Sequence, residues 1–419
     1  FTSVTVNRDS ERKPISSANR TNVAKIYDYY GASGKIDKID KFIFNEKLLL
    51  IGEDGANLVT RSKPIAFFAE GQYWVNNHAH CIDSTDKLIL EYLCLYINAI
   101  SLEKYVTGSA QPKMTQDNMN SILIALPPYE EQKRLEFQVN HILKTVSTIE
   151  NEKEDIVNYI ISAKSKILDL AIRGKLVPQD SNDEPASVLL ERIRAEKEEL
   201  IKQGKIKRDK KESIIFKGED NSYYEKVGAE IRCIDSEIPF EIPDGWMYER
   251  LGNICSIARG GSPRPIENYL TDDENGLNWI KIGDTEQGGK YIYSTKEKIR
   301  PEGLSKTRYV CSGDFLLTNS MSFGRPYILR TNGCIHDGWL VIGGIEIAFH
   351  QDYLYYMLSS SIMYKALSSL AVGSTVKNLK SDSVKSLLVP IPPLAEQACI
   401  SRQIENYFAT MLPIERSLS

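Results

Sequence analysis

From Tyr129 to Arg173 the chain contains neither proline nor glycine, and its apolar or small residues step by four and three. Leu135, Val139, Ile142, Val146, Ile149, Ile156, Ile160, Ala163, Ile167 and Leu170 keep that rhythm, and only Lys153 breaks it. A 3.5-residue repeat draws one apolar stripe along a helix and suits a coiled-coil seam. The alternative, a long helix lying on a globular core, would follow 3.6 and fits less well. The spacing predicts one helix of about 45 residues, roughly 65–70 Å long at 1.5 Å per residue. Gly174 then supplies a C-cap and Pro178 a stop. The same rhythm returns at Ile400, Ile404, Tyr407, Met411 and Ile414, with Phe408 beside it. The expected partner of each helix is the other, packed antiparallel.

A second pattern is a duplication. Gly108–Gln132 reads GSAQPKMTQDNMNSILIALPPYEEQ, and Gly373–Gln397 reads GSTVKNLKSDSVKSLLVPIPPLAEQ. The two align without a gap, and each hands over to one of the heptad helices. A period this long marks two large related modules, not a solenoid. Upstream, β-rich runs at Phe42–Phe44, Leu48–Ile51, Ile65–Phe68 and Tyr73–Val75 predict strands in the first module. Trp279–Ile282, Phe315–Leu317 and Trp339–Ile342 predict them in the second. Helical stretches, Leu88–Tyr105 and Tyr353–Leu370, precede the repeated segments. Both modules therefore read as α+β. The divisions are 1–128 (first module), 129–178 (central helix), 179–240 (short helix and linker), 241–393 (second module) and 394–419 (second helix). Within the linker, Pro185–Gln203 predicts a short helix and Ser213–Asp244 an irregular polar stretch. The run Lys202, Lys205, Lys207, Arg208, Lys210 and Lys211 reads as a solvated loop, with phosphate or partner contact as the alternative.

Composition adds little. The chain has 419 residues, 42% hydrophobic and 26% charged, as expected of globular domains. No apolar run approaches the roughly 18–20 residues of a membrane helix, so no membrane association is expected. Seven scattered cysteines with no CxxC point to free thiols in a reducing cytoplasm. The net charge of -4 neither demands nor forbids a nucleic-acid partner. Catalytic patterns are absent from the sequence. Leu126-Pro127-Pro128-Tyr129 and Ile391-Pro392-Pro393-Leu394 lack the polar first residue of an amino-methyltransferase motif. Gly283–Lys290 imitates a phosphate loop with the wrong glycine spacing. His78-Ala79-His80-Cys81 finds no second ligand cluster, and no metal site is expected.

Taken together, the doubled G-S-x…P-P-x-x-E-Q segments and the helices behind them resemble the specificity (S) subunit of type I restriction–modification systems. Further resemblance lies in Pro243-Asp244-Gly245-Trp246…Leu251-Gly252, Gly260-Gly261-Ser262-Pro263, Tyr29-Tyr30-Gly31-Ala32-Ser33-Gly34, Gly52-Glu53-Asp54-Gly55-Ala56-Asn57, Asn76-Asn77-His78-Ala79-His80 and Ala163–Pro178. The first module lacks the W…L…G opening of the second, so its beginning is expected to be missing. The last helix is far shorter than the first. The resemblance implies an α+β fold of two similar target-recognition domains separated by long conserved helices that pack as an antiparallel coiled coil. It implies a non-catalytic cytoplasmic subunit that binds double-stranded DNA at a bipartite site. Two copies of an adenine methyltransferase (M) subunit, which carries S-adenosylmethionine, and a restriction/translocase (R) subunit would be its partners. No cofactor is expected in this chain itself. The helices would act as a ruler between half-sites about one turn, roughly 34 Å, apart. The competing reading is a duplicated coiled-coil scaffold that never touches DNA; a fused methyltransferase is disfavoured by the missing motifs.

Arg or Lys reads guanine, Asn or Gln adenine, and small groups thymine. On the first module the resemblance points to Arg20, Tyr29, Tyr30, Ser33, Asn57, Asn76, Asn77, His78 and Lys113. On the second it points to Arg259, Ser262, Arg264, Lys281, Ser320, Ser322, Arg325, His336, Ser374, Thr375, Lys377 and Asn378. Lys113, Lys306, Arg308 and Lys377 suit phosphate positioning. Leu135, Val139, Ile142, Val146, Ile149, Ile156, Ile160, Ile400, Ile404, Tyr407, Phe408 and Met411 are expected to pack the helices.

Overall fold

Strand Leu48–Gly52 is buried along its whole length because its alternating side chains feed two cores. In the computed structural model Leu49 and Ile51 face a cluster with Leu90, Leu93 and Ile97, while Leu48 and Leu50 face Phe44, Tyr73 and Val75. The structure describes all residues except 109, 207, 209–211, 287, 321–322, 372–377 and 419. The chain forms two units, Phe1–Glu152 and Lys153–Ser419.

The first unit stacks helix Lys87–Ala99 on one sheet and that sheet on a second. The first sheet is ordered Val6–Asn7, Ala79–Asp83, Leu48–Gly52, Ala66–Ala69, all antiparallel. The second is ordered Gly34–Ile39, Tyr27–Gly31, Gln72–Val75, Phe44–Asn45, and its middle pair is parallel.

The second unit repeats this plan. Trp339–Gly343, Phe315–Thr318 and Pro326–Leu329 form the antiparallel centre of one sheet. Leu277–Ile280 and Gly333–Ile335 form the parallel pair of the other. Phe315 and Leu317 face the large core, and Leu316 faces Trp339 and Tyr327 on the other side, as Leu49 and Leu50 divide in the first unit. The sequence duplication is therefore a duplication of topology. The copies also differ: Tyr291–Ile292 and Leu270–Thr271 each add an edge strand to a sheet of the second unit. Met247–Arg250 pairs with Leu388–Ile391 just before the second Pro-Pro. The matching residues 123–126 form no strand; Tyr92 and Tyr96 hydroxyls donate to the Ala125 and Leu123 carbonyls, and Leu123 is 83% exposed.

Two local expectations need correction. The stretch Ser213–Asp244 is not irregular: Ser213–Lys217, Tyr223–Val227 and Glu230–Cys233 make an antiparallel sheet. Turns at Asn221 and Gly228, both with positive φ, were the missed signal. The helix expected over Tyr353–Leu370 is two helices, Gln351–Ser359 and Ser361–Leu370, because Ser360 leaves helical geometry and caps the second. Of the basic run, Arg208 pairs with Glu198, while Lys207, Lys210 and Lys211 lie outside the described residues.

Tyr129–Ile172 is one helix, and Leu394–Leu418 follows the second module. Where they meet they run antiparallel: Lys164 bonds Glu415 at 2.6 Å and sits over the Phe408 ring, whereas Gln179, beyond the central helix, bonds Glu396 at 2.7 Å. Ile160, Ile400 and Ile404 are buried, and Val139, Phe408 and Met411 half-buried. Leu135, Ile142, Val146, Ile149, Ile156 and Tyr407 are exposed instead of packed. The reason on the second helix is that Ile400 and Ile404 join the core of helix Gln351–Ser359, which turns Tyr407 outward and Phe408 inward.

The linker sheet is tied to the second module by charge. Glu225 accepts from Arg250 at 2.9 Å and from Arg232 at 2.5 Å. The Arg250 hydrogen bond, against the opposing effect of burial and with help from Ser213 and Arg232, holds the Glu225 carboxyl down at about 2. The folded value lies below the ordinary 4.5, so the stabilisation is complete above 4.5 and lost as pH falls towards 2. Glu225→Gln is expected to flatten that acid loss. Urea midpoints across this window check it, and an unchanged acid slope would refute it.

Candidate nucleic-acid interface

In the first unit four loops are laced together at one end of the strands. Glu53 N donates to the His78 carbonyl at 2.9 Å, Met114 N to the Glu53 carbonyl at 2.7 Å, and Gly55 N to the Pro112 carbonyl at 2.9 Å. Asn76 N donates to the Tyr30 carbonyl at 3.1 Å. Gly52 lets the hairpin loop approach, since a Cβ there would lie 2.6 Å from the Ala32 carbonyl oxygen.

Beneath the loops lies a buried ionic network. Arg12 donates to the Ala79 carbonyl at 2.7 Å, pairs with Glu53 at 2.6 Å and with Asp9 at 3.5 Å. His80 places Nδ1 2.6 Å from Asp9 and Nε2 2.9 Å from the Met114 carbonyl. Lys113 closes the network on Glu53 at 3.1 Å. Burial pushes the Asp9 carboxyl up, but His80, the Cys81 N–H and Arg12 hold it below the usual range. Asp9, Glu53 and His80 are close enough to suggest a cation site. They do not fit one, because the Arg12 guanidinium already supplies the positive charge between the two carboxylates.

The expected readers of this module divide accordingly. Asn77, His78 and Lys113 are exposed and Ser33 half-exposed on the loop cluster, with His78 bonded to Asp54 at 2.7 Å. Tyr29 is only 1% exposed, and its hydroxyl meets the Ile15 backbone. It faces the core because alternate residues of a strand take opposite faces, which leaves Tyr30 half-buried against Phe67 and Tyr73. Arg20 stacks on the Tyr29 ring and pairs with Asp37 at 2.7 Å. Asn76 is buried and accepts the His78 N–H, and Asn57 closes its own loop on Lys63. Arg20, Tyr29, Asn57 and Asn76 thus build the platform. Arg12 and Asp9 were missed, since no local motif marks them; Glu53 stands in the Gly52–Asn57 motif, but only folding brings the three to His80.

The second unit builds the same cluster with other side chains. Asn319 N donates to the Gly338 carbonyl at 2.9 Å and Leu379 N to the Asn319 carbonyl at 2.8 Å, matching the bonds at Glu53. Gly260 is required because a Cβ would collide with the His336 carbonyl. That approach brings Arg259, Ser262 and Arg264 to Asp337. Burial raises the Asp337 carboxyl, yet Ser262, His336, Arg259 and Arg264 hold it below the usual range. Burial lowers His336, whose Nδ1 accepts the Gly338 N–H at 2.6 Å. Lys281 pairs with Glu297 at 2.5 Å. Ser262, Arg264, Trp279, Lys281, His336 and Asp337 line a cavity of about 740 Å³. Ser320 is half-exposed, and Arg325 and Asn378 are exposed. Lys306 bonds the Tyr269 hydroxyl and Arg308 the Arg259 carbonyl. Ser109, Ser322, Ser374, Thr375 and Lys377 lie outside the described residues. Each cluster is an array of fixed donors and acceptors, the chemistry that base edges and phosphates require.

Comparison with known proteins agrees. The family model "Type I restriction modification DNA specificity domain" matches twice, at residues 6–168 and 243–418. The Escherichia coli type I restriction enzyme EcoEI specificity subunit is 27% identical over 77% of this chain and 61% of its own length. The E. coli EcoAI specificity subunit is 32% identical over 55% of this chain and 36% of its own length. The chain thus spans less than two thirds of the length of each of these two relatives. A solved structure from a study of complex assembly and conformational transition of the type I R-M system shares the fold, with TM-score 0.55 and 15% identity over 99% of this chain and 92% of that one. The chain belongs to the type I restriction–modification DNA specificity family, with two copies of its domain.

Proposed function

We propose that this chain is the DNA-specificity subunit of a type I restriction–modification enzyme. The carrying observation is that two modules of one topology each present a laced cluster of exposed donors and acceptors at the same structural position. Each module reads one half of a bipartite double-stranded site. The chain itself is non-catalytic. It seats two adenine methyltransferase subunits, which carry S-adenosylmethionine, and is joined by a restriction/translocase subunit in the cytoplasm. Duplication supports that stoichiometry, since two like surfaces seat two like partners. Among the described residues no helix is long and apolar enough to cross a membrane.

Co-expression with the methyltransferase partner, followed by single-molecule mapping of methylated adenines, tests the reading. The expected result is a split motif of two short half-sites with a fixed gap. One heptad inserted after Ile149 is expected to lengthen the gap and leave both half-sites unchanged. Binding is also expected to weaken steeply with salt, because each phosphate contact releases counterions. The exposed apolar stripe from Leu135 to Ile156 is what a pure scaffold would use. A stable complex with no methylation and no salt-dependent DNA affinity would favour that second reading.

A further inference from the structure

Arg259, Ser262 and Arg264 belong to one loop and Asp337 to another, yet all three reach Asp337. Their bonds differ in kind. Arg259 donates through Nε to the Asp337 backbone carbonyl at 2.8 Å, and its own carbonyl accepts Arg308 Nε at 3.2 Å. It is a strut between loops. Ser262 donates to Asp337 Oδ1 at 2.8 Å and fixes the rotation of the carboxylate. Asn319 adds a bond to the Asp337 carbonyl at 2.8 Å, anchoring the backbone below. Arg264 touches Oδ2 only at 3.4 Å, and its side chain remains 80% exposed. Asp337 itself is 41% exposed. The loops therefore present an accessible fork of donors beside a rigidly held acceptor, at the rim of the 740 Å³ cavity.

We propose that Arg264 and Asp337 together read a guanine·cytosine pair in the half-site of the second module, an inference that rests on the DNA-specificity reading above. In the major groove that pair offers two acceptors, guanine N7 and O6, followed by one donor, the cytosine amino group. A guanidinium fork followed by a carboxylate is the complement of that order. An adenine·thymine pair places its amino donor in the middle, opposite the arginine, and offers the carboxylate a carbonyl and a methyl group. A phosphate is the poorer target, because a fixed carboxylate beside it would repel it. The planar fork bonds both guanine acceptors at once, which a lysine cannot do.

Methylation maps decide the matter, with wild type, Arg264→Ala, Arg264→Lys and Asp337→Asn each co-expressed with the methyltransferase partner. Both Arg264 variants are expected to relax one guanine·cytosine position by roughly ten- to a hundredfold, with the other half-site and the gap unchanged. Asp337→Asn is expected to loosen that same position. Arg264→Lys keeps the stem and the charge, so its relaxation reports the lost fork and not a misfolded loop. Relaxation at an adenine·thymine position, or an unaltered map, overturns the inference. So does a uniform loss of binding across sequences with a shallower salt dependence, the signature of a phosphate contact. A wild-type map with no split motif overturns the functional reading, and this inference with it.

Discussion

Arg12→Ala is expected to loosen the recognition end of the first unit while leaving the second unit ordered. Arg12 holds the Ala79 carbonyl, Glu53 and Asp9, three groups on three segments, and its side chain is 14% exposed. Without it, Glu53 keeps Lys113 and the more distant His80 at 3.8 Å, and Asp9 keeps His80 and the Cys81 N–H, in a site that water scarcely reaches. Breaking a buried ion pair from one side costs about 3–5 kcal/mol, because the abandoned charge stays buried. The remaining cations suggest the low end, about 3 kcal/mol, or roughly a hundredfold in local opening. Hydrogen exchange on the full chain reads this directly. Amides of 53–57, 76–83 and of Thr107, Lys113 and Met114 should lose protection together, whereas Phe315–Thr318 should not change. The function should follow the same division: the half-site of the first module loses definition and that of the second survives. Arg12→Lys restores charge without the fork and should recover only part of the protection. Full protection in Arg12→Ala would show that the backbone lacing alone holds the loops.

Gln397→Ala should cost far more than the same change at its repeat partner, Gln132→Ala. Both glutamines stand at the start of a helix, and both donate to the first proline of the preceding Pro-Pro: Gln132 to Pro127 at 2.8 Å, Gln397 to Pro392 at 3.0 Å. This shared bond is the physical content of the repeated P-P-x-x-E-Q. Gln397 does more. It also donates to the Ala348 carbonyl at 3.0 Å and accepts the His350 N–H at 2.8 Å, with no exposed surface. Removing it strands two buried carbonyls at about 1–3 kcal/mol each and frees the part-buried His350 N–H, so about 3–5 kcal/mol is expected against about 1 kcal/mol at Gln132. Urea unfolding of the full chain, followed by tryptophan fluorescence, separates the two variants. Trp246, Trp279 and Trp339 report the second unit and Trp74 the first. Equal losses would mean that the shared proline bond carries the motif and the additional bonds contribute nothing.

How far the sequence carried depends on the range of each interaction. The central helix was legible because its signal is local: an unbroken heptad rhythm without proline or glycine, then Gly174 and Pro178. The strands Leu48–Gly52, Phe315–Thr318 and Trp339–Gly343 were legible for the same reason. The linker sheet was not, since Ser213–Lys217 and Tyr223–Val227 carry their polar residues among the apolar ones. Ser213, Ile215 and Glu225 turn inward there, and two of the three are polar. Among the site residues, loop membership was readable but side-chain direction was not. Tyr29 and Tyr30 are adjacent and similar, yet the pleat sends one into the core and leaves the other half-buried.

The sequence by itself determined that this chain is a duplication, where its long helix runs, and which family it resembles, because all three are written in patterns of neighbouring residues. It also supplied the loops Asn76–His78 and Arg259–Arg264, through their turn-forming composition. Only the tertiary structure decided which members of those loops face outward. Only there do Asp9, Arg12, Glu53 and His80 become one network, and Arg264 and Asp337 one ion pair. Those partnerships depend on strand pairing and on glycines that let distant backbones touch, and charges so far apart in sequence share no local pattern.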